Sequence, residues 1–329
     1  MVHDLKTLKE ITYPIVEDIK LFEYELQDAL KSEVRLVNTV GKYILRHKGK
    51  HIRPILTILS ARVCDKPSLN SYKSAAMIEL LHIATLIHDD VVDEATTRRG
   101  FPSINRIWKN KVAVLMGDYI LSKALINLVG IKDFDALGVI SKTAEKLSAG
   151  EILQIEKSLT RSMTESVYYN MINQKTASLI STSCELGAIT SSKKEDDRKK
   201  MRIFGEKLGM AFQIKDDLFD MLGVESKTGK NVGADVKKNM ITLPLIYSYS
   251  TLKKAESRMV KKILNIKNKS KDDISKLTQL IHSSGGFEYA EQKIDEFSNH
   301  AIETISHYPD STYKQSLIDL VVFNSRRNY

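Results

Sequence analysis

Apolar residues recur at steps of three and four along nearly the whole chain, which is the spacing of amphipathic helices. Convincing β alternation is absent, and 15 glycines and 6 prolines in 329 residues favour long helices over a turn-rich β architecture. The sequence therefore predicts an all-α array of about a dozen helices. The periodic segments are 8–30, 34–45, 52–63, 75–92, 112–129, 137–159, 167–189 and 201–222, with more from residue 243 onward.

Two short acidic segments share one spacing, and each lies inside an otherwise apolar stretch. Residues 89–93 read Asp-Asp-Val-Val-Asp and residues 216–220 read Asp-Asp-Leu-Phe-Asp. Side chains four residues apart share one helix face, so Asp89 lies over Asp93 and Asp216 over Asp220. The apolar sequence before the first segment predicts burial, and buried carboxylates of like charge need cations. Mg²⁺ held by carboxylates from each segment and by substrate phosphate oxygens meets this need.

Two other interpretations of these acidic segments stay open. Each could be a solvated acidic turn, although two copies with the same spacing in apolar surroundings disfavour this interpretation. The carboxylates could also be neutralised by buried lysine or arginine side chains without any metal.

The composition is that of an ordinary soluble globular protein, with 42% hydrophobic and 28% charged residues. Cys64 and Cys184 lie in apolar helical contexts without a CxxC partner, which predicts reduced packing residues in a reducing compartment. The first residues do not resemble a signal peptide, and no uncharged apolar run reaches the roughly 18 residues of a membrane span. We therefore expect a cytoplasmic protein without a transmembrane segment.

The formal charge of +9 could indicate nucleic acid, an anionic membrane surface or anionic small substrates. Many of the lysines lie in 253–276, spaced with Leu and Ile as on the solvated face of amphipathic helices. No nucleic-acid-binding motif is present and no aromatics interleave the basic runs, so we expect no nucleic acid partner. A basic helical nucleic-acid-binding protein remains the alternative from another functional class.

Several basic residues could bind phosphate near the acidic segments. Lys50 and Arg53 follow Gly49 one helical turn apart just before a helix, where ammonium and guanidinium groups suit a diphosphate. Arg98 and Arg99 come directly after the first acidic segment. Other polar candidates are His82, two turns before Asp89 on the same helix face, and Lys175, Thr176, Gln213, Lys215 and Lys230.

These elements, in this order, resemble the trans-isoprenyl diphosphate synthases (polyprenyl synthetases), especially the long-chain octaprenyl-type enzymes. The resemblance runs from the GKxxRP element at 49–54 through both DDxxD segments and covers most of the chain. It implies the all-α isoprenoid synthase bundle, usually a homodimer, with both aspartate motifs facing across a central cavity. No low-complexity linker separates the motifs, so we expect a single domain, residues 1–329.

The resemblance also implies a division of roles. Asp89, Asp93 and Asp216 would ligate about three Mg²⁺ ions that bridge the allylic diphosphate, with Asp220 as a weaker ligand. The allylic diphosphate would be held by Arg98, Lys175, Thr176, Gln213 and Lys230. Isopentenyl diphosphate would be held by Lys50, Arg53, His82 and Arg99. The expected reaction is sequential condensation of isopentenyl diphosphate onto an allylic diphosphate.

The chain departs from the family pattern at one place. Relatives usually carry a Gly-Lys pair before the Thr-Leu-Pro element, whereas here the positions are Asn239 and Met240. A diphosphate-binding lysine is therefore missing, or Lys237 or Lys238 replaces it.

Two alternatives lie close to this assignment. A terpene cyclase shares the first aspartate motif but normally lacks the second DDxxD and the GKxxRP element. A non-catalytic subunit of a heteromeric synthase tends to lose the aspartates, and this chain keeps all six.

Product length is expected to depend on the helix before Asp89. A chain growing from a diphosphate held at Asp89 and Asp93 extends toward the amino-terminal side of this helix, where Ala84 and Thr85 are small and Leu81 follows in the next turn. Short-chain relatives typically fill this neighbourhood with aromatic residues. We therefore expect a hexaprenyl to octaprenyl product that serves as a quinone side-chain precursor, with a farnesyl or geranylgeranyl diphosphate synthase as the alternative.

Overall fold

The computed structural model describes residues 6–160, 162–222, 240–266 and 268–327, and these ranges fold almost entirely into helices. The helices are α1 (Leu8–Thr12), α2 (Val16–Ala29), α3 (Arg35–Arg46), α4 (Ile52–Cys64), α5 (Leu69–Val92), α6 (Ile104–Ile131), α7 (Phe134–Thr160), α8 (Glu165–Ile172), α9 (Ser178–Ser191), α10 (Glu195–Leu222), α11 (Leu243–Thr251), α12 (Lys254–Asn265), α13 (Lys271–Ser283), α14 (Gly286–Thr304) and α15 (Thr312–Arg326). The all-α class predicted from the sequence is confirmed.

Three local features differ from the predicted helices. The segment 8–30 contains a 3₁₀ turn, Tyr13–Ile15, because Pro14 has no backbone N–H to donate to a continuing helix. The segment 167–189 contains a π-helical turn, Asn173–Ala177, between α8 and α9. The loop after α5 forms a short antiparallel hairpin of β1 (Thr97–Arg98) and β2 (Phe101–Pro102), which is too short to leave an alternating pattern in the sequence.

The chain divides into two compact units. The first comprises Met1–Ala144, Leu179–Gly205 and Thr304–Leu320. In this unit α5 packs against α2, α4 and α6, and it is buried on most sides between Ser71 and Leu81. The burial predicted from its apolar sequence is therefore correct for the amino-terminal part of the helix.

The second unit comprises Glu145–Ser178, Glu206–Glu303 and Val321–Tyr329. Its core gathers Tyr168, Leu218, Leu243, Phe287 and Ile294, all of them buried. The single domain proposed for residues 1–329, and the central cavity within it, remain predictions.

One described helix, α6, is long and apolar enough to cross a membrane when only length and composition are considered. Core helices of soluble proteins meet the same two criteria, and one third of its most apolar stretch is buried. The absence of a transmembrane segment therefore remains a prediction.

A buried ion pair joins α2 to two other helices of the first unit. Asp18 of α2 is 3% exposed and accepts hydrogen bonds from Arg62 of α4, at 2.7 Å from Nη2 and 3.0 Å from Nε. The hydroxyl of Tyr72 in α5 donates to the same carboxylate at 2.7 Å. One carboxylate thus joins three helices.

We predict that Asp18→Ala lowers the free energy of unfolding by about 3 kcal/mol, because it leaves Arg62 and Tyr72 without their shared acceptor. Urea denaturation of the full chain measures this loss. Glu17→Ala is the matched control, since the neighbouring pair of Glu17 with Lys20 is exposed and should contribute nothing measurable. Equal destabilisation by the two variants would contradict the prediction.

Candidate active site

The first aspartate motif, residues 89–93, lies at the carboxyl end of α5. The backbone N–H of Asp93 donates to the carbonyl of Asp89 at 2.8 Å, so these two side chains leave the helix on one face, as predicted. Burial differs from the prediction, because Asp89 is half-buried and Asp93 exposed. Only Asp90 is buried, at 4% exposure.

Asp90 is neutralised by an arginine. Arg98 on β1 donates to its Oδ1 from Nε at 2.9 Å and from Nη2 at 2.5 Å. The amide of Asn105 donates to the carbonyls of Asp90 and Ala95 at 3.2 and 3.1 Å. Arg98, which the sequence assigned to a diphosphate, therefore ties the hairpin to the end of α5 in this structure.

In the first unit, His82, Arg53 and Arg99 form a cluster of side chains, the basic group, with His82 and Arg53 at its centre. Nη1 of Arg53 lies 3.0 Å from Nε2 of His82. Because an arginine N–H can only donate, Nε2 must accept, which requires the neutral imidazole. Burial, together with the positive charges of Arg53 and Arg99, holds the pKa of His82 well below its ordinary value. His82 is therefore neutral at pH 7.

Glu79 places a buried carboxyl group close to this basic group. It is 3% exposed, and its Oε2 is buried without a hydrogen-bond partner. Burial raises the pKa of its carboxyl group, while the charges of Arg53 and Arg99 act in the opposite direction. A pocket in the first unit is lined by Glu79 together with Gly49, His51 and Arg99. Lys50 is exposed and lies in the loop just before α4.

An aromatic group that the sequence analysis missed holds the hairpin in place. The rings of His47 and Phe101 lie 4.0 Å apart, and those of Tyr43 and Trp108 lie 5.3 Å apart. The hydroxyl of Tyr43 also donates to the carbonyl of Pro102 at 2.6 Å. The rings of this group come from two stretches, residues 43–47 and 101–108, which are too far apart in sequence for periodicity to pair them.

The second aspartate motif, residues 216–220, lies in α10 within the second unit. Its second residue, Asp217, is 5% exposed and accepts hydrogen bonds from the hydroxyl of Tyr168 and the amide of Gln213, both at 2.7 Å. Thr176 in turn donates to Gln213 at 2.6 Å. Thr176 and Gln213, both predicted diphosphate ligands, thus belong to one hydrogen-bonded chain that ends on a buried carboxylate.

Lys175 and Thr176 lie in the π-helical turn, a distortion that is common at functional sites. A Cβ on Gly150 of α7 would lie 2.8 Å from the backbone nitrogen of Lys175, so the glycine permits this close approach. The ammonium group of Lys175 pairs with Glu151 at 2.5 Å and donates to Gln154 at 3.0 Å. No pattern in the sequence indicates the π turn.

Asp216 forms an ion pair with Arg327, near the end of the described chain. The Arg327 guanidinium also lies over the rings of Phe212 and Phe219, at 4.4 and 5.2 Å from their centroids. Asp216 and Asp220 are both half-buried. Neutralisation by an arginine, one of the open interpretations of the acidic segments, therefore applies to Asp216 and to Asp90 in this structure.

The donor chemistry of both motifs fits a hard divalent cation, because Asp89, Asp93 and Asp216 present carboxylate oxygens with some exposure to solvent. Among the described residues, no three His, Cys, Asp or Glu side chains gather into a ready metal site. Substrate oxygens would therefore have to complete the coordination. The predicted diphosphate ligand Lys230, and Lys237, Lys238 and Asn239, lie outside the described residues.

The predicted chain-length residues line one side of α5. Leu81 and Ala84 are 2% and 1% exposed, and the hydroxyl of Thr85 donates to the carbonyl of His82 at 2.8 Å. One turn beyond Ala84, the ring of His88 occupies the space that a side chain on Gly117 of α6 would need. This side of α5 therefore faces α6.

Arg327 and a metal ion would compete for the carboxylate of Asp216. We predict that Arg327→Gln lowers the midpoint of a Mn²⁺ titration by about three- to fivefold, since an ion pair of this exposure contributes about 1 kcal/mol or less. Electron paramagnetic resonance of free Mn²⁺ measures the midpoint. Arg326→Gln, at an exposed neighbouring position, is the control, and equal midpoints for both variants would refute competition.

Known proteins resemble this chain over most of its length. The family model described as "Polyprenyl synthetase" matches residues 34–281. The all-trans-nonaprenyl-diphosphate synthase (geranyl-diphosphate specific) of Rhodobacter capsulatus is 33% identical over 313 residues, covering 95% of each chain. Heptaprenyl diphosphate synthase component 2 of Bacillus subtilis is 31% identical, covering all of this chain and 93% of the relative.

A solved structure has the same fold. The polyprenyl synthase from Caulobacter crescentus, crystallised with calcium and isoprenyl diphosphate, superposes with a TM-score of 0.92 at 26% identity, covering 99% of this chain and 100% of the other. Further relatives bear names that range from geranylgeranyl to decaprenyl diphosphate synthase. The chain therefore belongs to the polyprenyl synthetase family and is a prenyltransferase, a trans-prenyl diphosphate synthase.

Proposed function

We propose that this protein is a cytoplasmic, Mg²⁺-dependent homodimer that elongates an allylic diphosphate with isopentenyl diphosphate to a hexaprenyl to octaprenyl product for a quinone side chain. The observation that supports the chemistry is that Asp89 and Asp93 share one face of α5, with His82 two turns earlier on that helix and Arg53 of α4 within hydrogen-bond distance of His82. The carboxylates suit a diphosphate that is bound through metal ions, and the basic side chains suit a second diphosphate that is bound directly.

The residues divide the work as follows. Asp89, Asp93 and Asp216 hold the metal ions, and Asp220 assists. Mg²⁺, when bound, supplies Lewis-acid stabilisation of the departing diphosphate. Lys50, Arg53, His82 and Arg99 hold isopentenyl diphosphate, with neutral His82 kept in one tautomer by Arg53. Lys175, Thr176, Gln213 and, after release from Asp90, Arg98 bind the allylic diphosphate.

The reaction needs no protein nucleophile. The allylic carbon–oxygen bond breaks, and its electron pair leaves with the diphosphate. The alkene of isopentenyl diphosphate then attacks the allylic cation and forms the new carbon–carbon bond. A proton is lost to the released diphosphate, which restores a double bond and leaves a product one isoprene unit longer. The side chains contribute positioning and charge stabilisation.

Two neighbouring carboxylates, Asp89 and Asp90, differ in burial. We predict that Asp89→Asn lowers turnover by about 10²- to 10³-fold, because it removes one carboxylate ligand of the metal. Asp90→Asn should instead lower the melting temperature, because it removes the charged partner of Arg98. Turnover of farnesyl diphosphate with labelled isopentenyl diphosphate, together with thermal unfolding, distinguishes the two variants. Full activity in EDTA would overturn the metal assignment.

The proposed product length rests on Ala84, a small side chain at 1% exposure on the side of α5 that faces α6. We predict that Ala84→Phe shortens the main product toward farnesyl or geranylgeranyl diphosphate and preserves the first condensation, since the added ring fills the path of the growing chain. Chromatographic sizing of labelled products measures this. Leu69→Phe, at an exposed position on the same helix, is the control.

An unchanged product length with Ala84→Phe would show that Ala84 does not line the path. A wild-type product of 15 or 20 carbons, the farnesyl or geranylgeranyl alternative, would refute the long-chain proposal. If the purified chain makes no product alone, a second component is required, as the name "component 2" indicates for the Bacillus subtilis relative.

The homodimer is supported by exposed apolar side chains on α6 and at the start of α7. Leu115, Ile126, Val129 and Phe134 are 60%, 67%, 61% and 87% exposed. Apolar surface of this kind on a soluble protein is typical of a protein–protein interface.

A further inference from the structure

Arg99 occupies a backbone conformation that arginine disfavours. It forms, with Gly100, the two-residue turn of the hairpin, between the paired residues Arg98 and Phe101. Its φ is 55° and that of Gly100 is 80°, so both lie in the left-handed region typical of a type I′ turn. Asn and Gly suit this position, whereas an arginine there costs free energy. The turn geometry alone therefore does not explain an arginine here.

The position of this turn is fixed by its surroundings. The aromatic group of Tyr43, His47, Phe101 and Trp108 holds β2, and the ion pair of Arg98 with Asp90 holds β1. The hydroxyl of Ser103 also donates to the carbonyl of Ala95 at 2.6 Å and closes the base of the hairpin. A side chain that leaves Arg99 therefore starts from a defined point.

The guanidinium of Arg99 lies directly against Gly49. A Cβ on Gly49 would lie 2.4 Å from Nη2, 2.5 Å from Cζ and 2.6 Å from Nη1, far inside van der Waals contact. Gly49 is not among the glycines with positive φ, so its backbone is open to any residue. A side chain at this position would therefore displace the Arg99 guanidinium and would not strain the backbone of residue 49.

We propose that Gly49 is a positioning residue for Arg99, whose guanidinium it allows to rest on the loop before Lys50 and Arg53, where the diphosphate of isopentenyl diphosphate would bind. This inference rests on the proposed function. The buried Glu79 lines the same pocket as Gly49 and Arg99, and its carboxyl group interacts electrostatically with the Arg99 guanidinium. A side chain at residue 49 would push the guanidinium out of this arrangement.

The test is Gly49→Ala against Gly41→Ala. Gly41 lies in α3, and a Cβ there meets no atom within 4 Å. We expect Gly49→Ala to raise the KM for isopentenyl diphosphate by about ten- to a hundredfold, the effect of losing one charge-assisted phosphate contact. The KM for the allylic substrate and the melting temperature should stay at their wild-type values. Gly41→Ala should leave the KM values unchanged.

A double-mutant cycle separates positioning from general disruption of the loop. Arg99→Ala should raise the same KM, and Gly49→Ala should add nothing further in the Arg99→Ala background. An additive effect would mean that Gly49→Ala also disturbs Lys50 or Arg53, and the proposal would be wrong. Arg99→Asn should show the same loss while keeping or raising the melting temperature, because asparagine fits the turn.

Binding of inorganic pyrophosphate in EDTA, followed by calorimetry, gives a readout that needs no turnover. Gly49→Ala should weaken this binding relative to Gly41→Ala, and equal affinities would overturn the inference. If the wild-type chain binds pyrophosphate in this way but condenses no isopentenyl diphosphate, the proposed function fails while the role of Gly49 stands. If the wild type condenses isopentenyl diphosphate and Gly49→Ala behaves identically, only the role of Gly49 fails.

Discussion

The ion pair between buried Asp90 and Arg98 joins the carboxyl end of α5 to the first strand of the hairpin. An unpaired carboxylate at this depth would cost several kcal/mol, so Arg98 must follow it closely. The hairpin therefore folds back toward the helix end, and the turn with Arg99 follows directly from that constraint. The position of the Arg99 turn relative to the end of α5 depends on this interaction.

The second unit solves the same problem differently. Asp217 occupies the same position in its motif as Asp90, but it is satisfied by the neutral groups of Tyr168 and Gln213. In both motifs the middle carboxylate is buried and bonded within the protein, whereas positions one and five keep some exposure. One aspartate in each motif is thus structural, and the outer aspartates carry the proposed metal chemistry.

Charge balance links structure to function in both units. Substrates with several negative charges require basic residues close together, and such residues repel one another before substrate arrives. Glu79 offsets this repulsion near Arg53 and Arg99, and Glu151 pairs with Lys175. Arg327 plays the converse role at Asp216, since it provides a positive charge where a metal would bind. In the proposed function, binding of substrate and metal would replace these partners within the protein.

The sequence by itself determined the helical class, the shared faces of Asp89 with Asp93, and the basic elements at Lys50, Arg53, Arg98 and Arg99. These properties follow from spacing along one helix or from adjacent residues, so local periodicity suffices to find them. Only the tertiary structure decided that Arg98 neutralises Asp90, that Glu79 faces the basic group, and that Gly49 supports Arg99. Those partners lie 8 to 50 residues apart in the sequence, and the packing of α3, α5 and the hairpin brings them together. Periodicity describes which face a side chain takes on its own helix, but it carries no information about which other element covers that face.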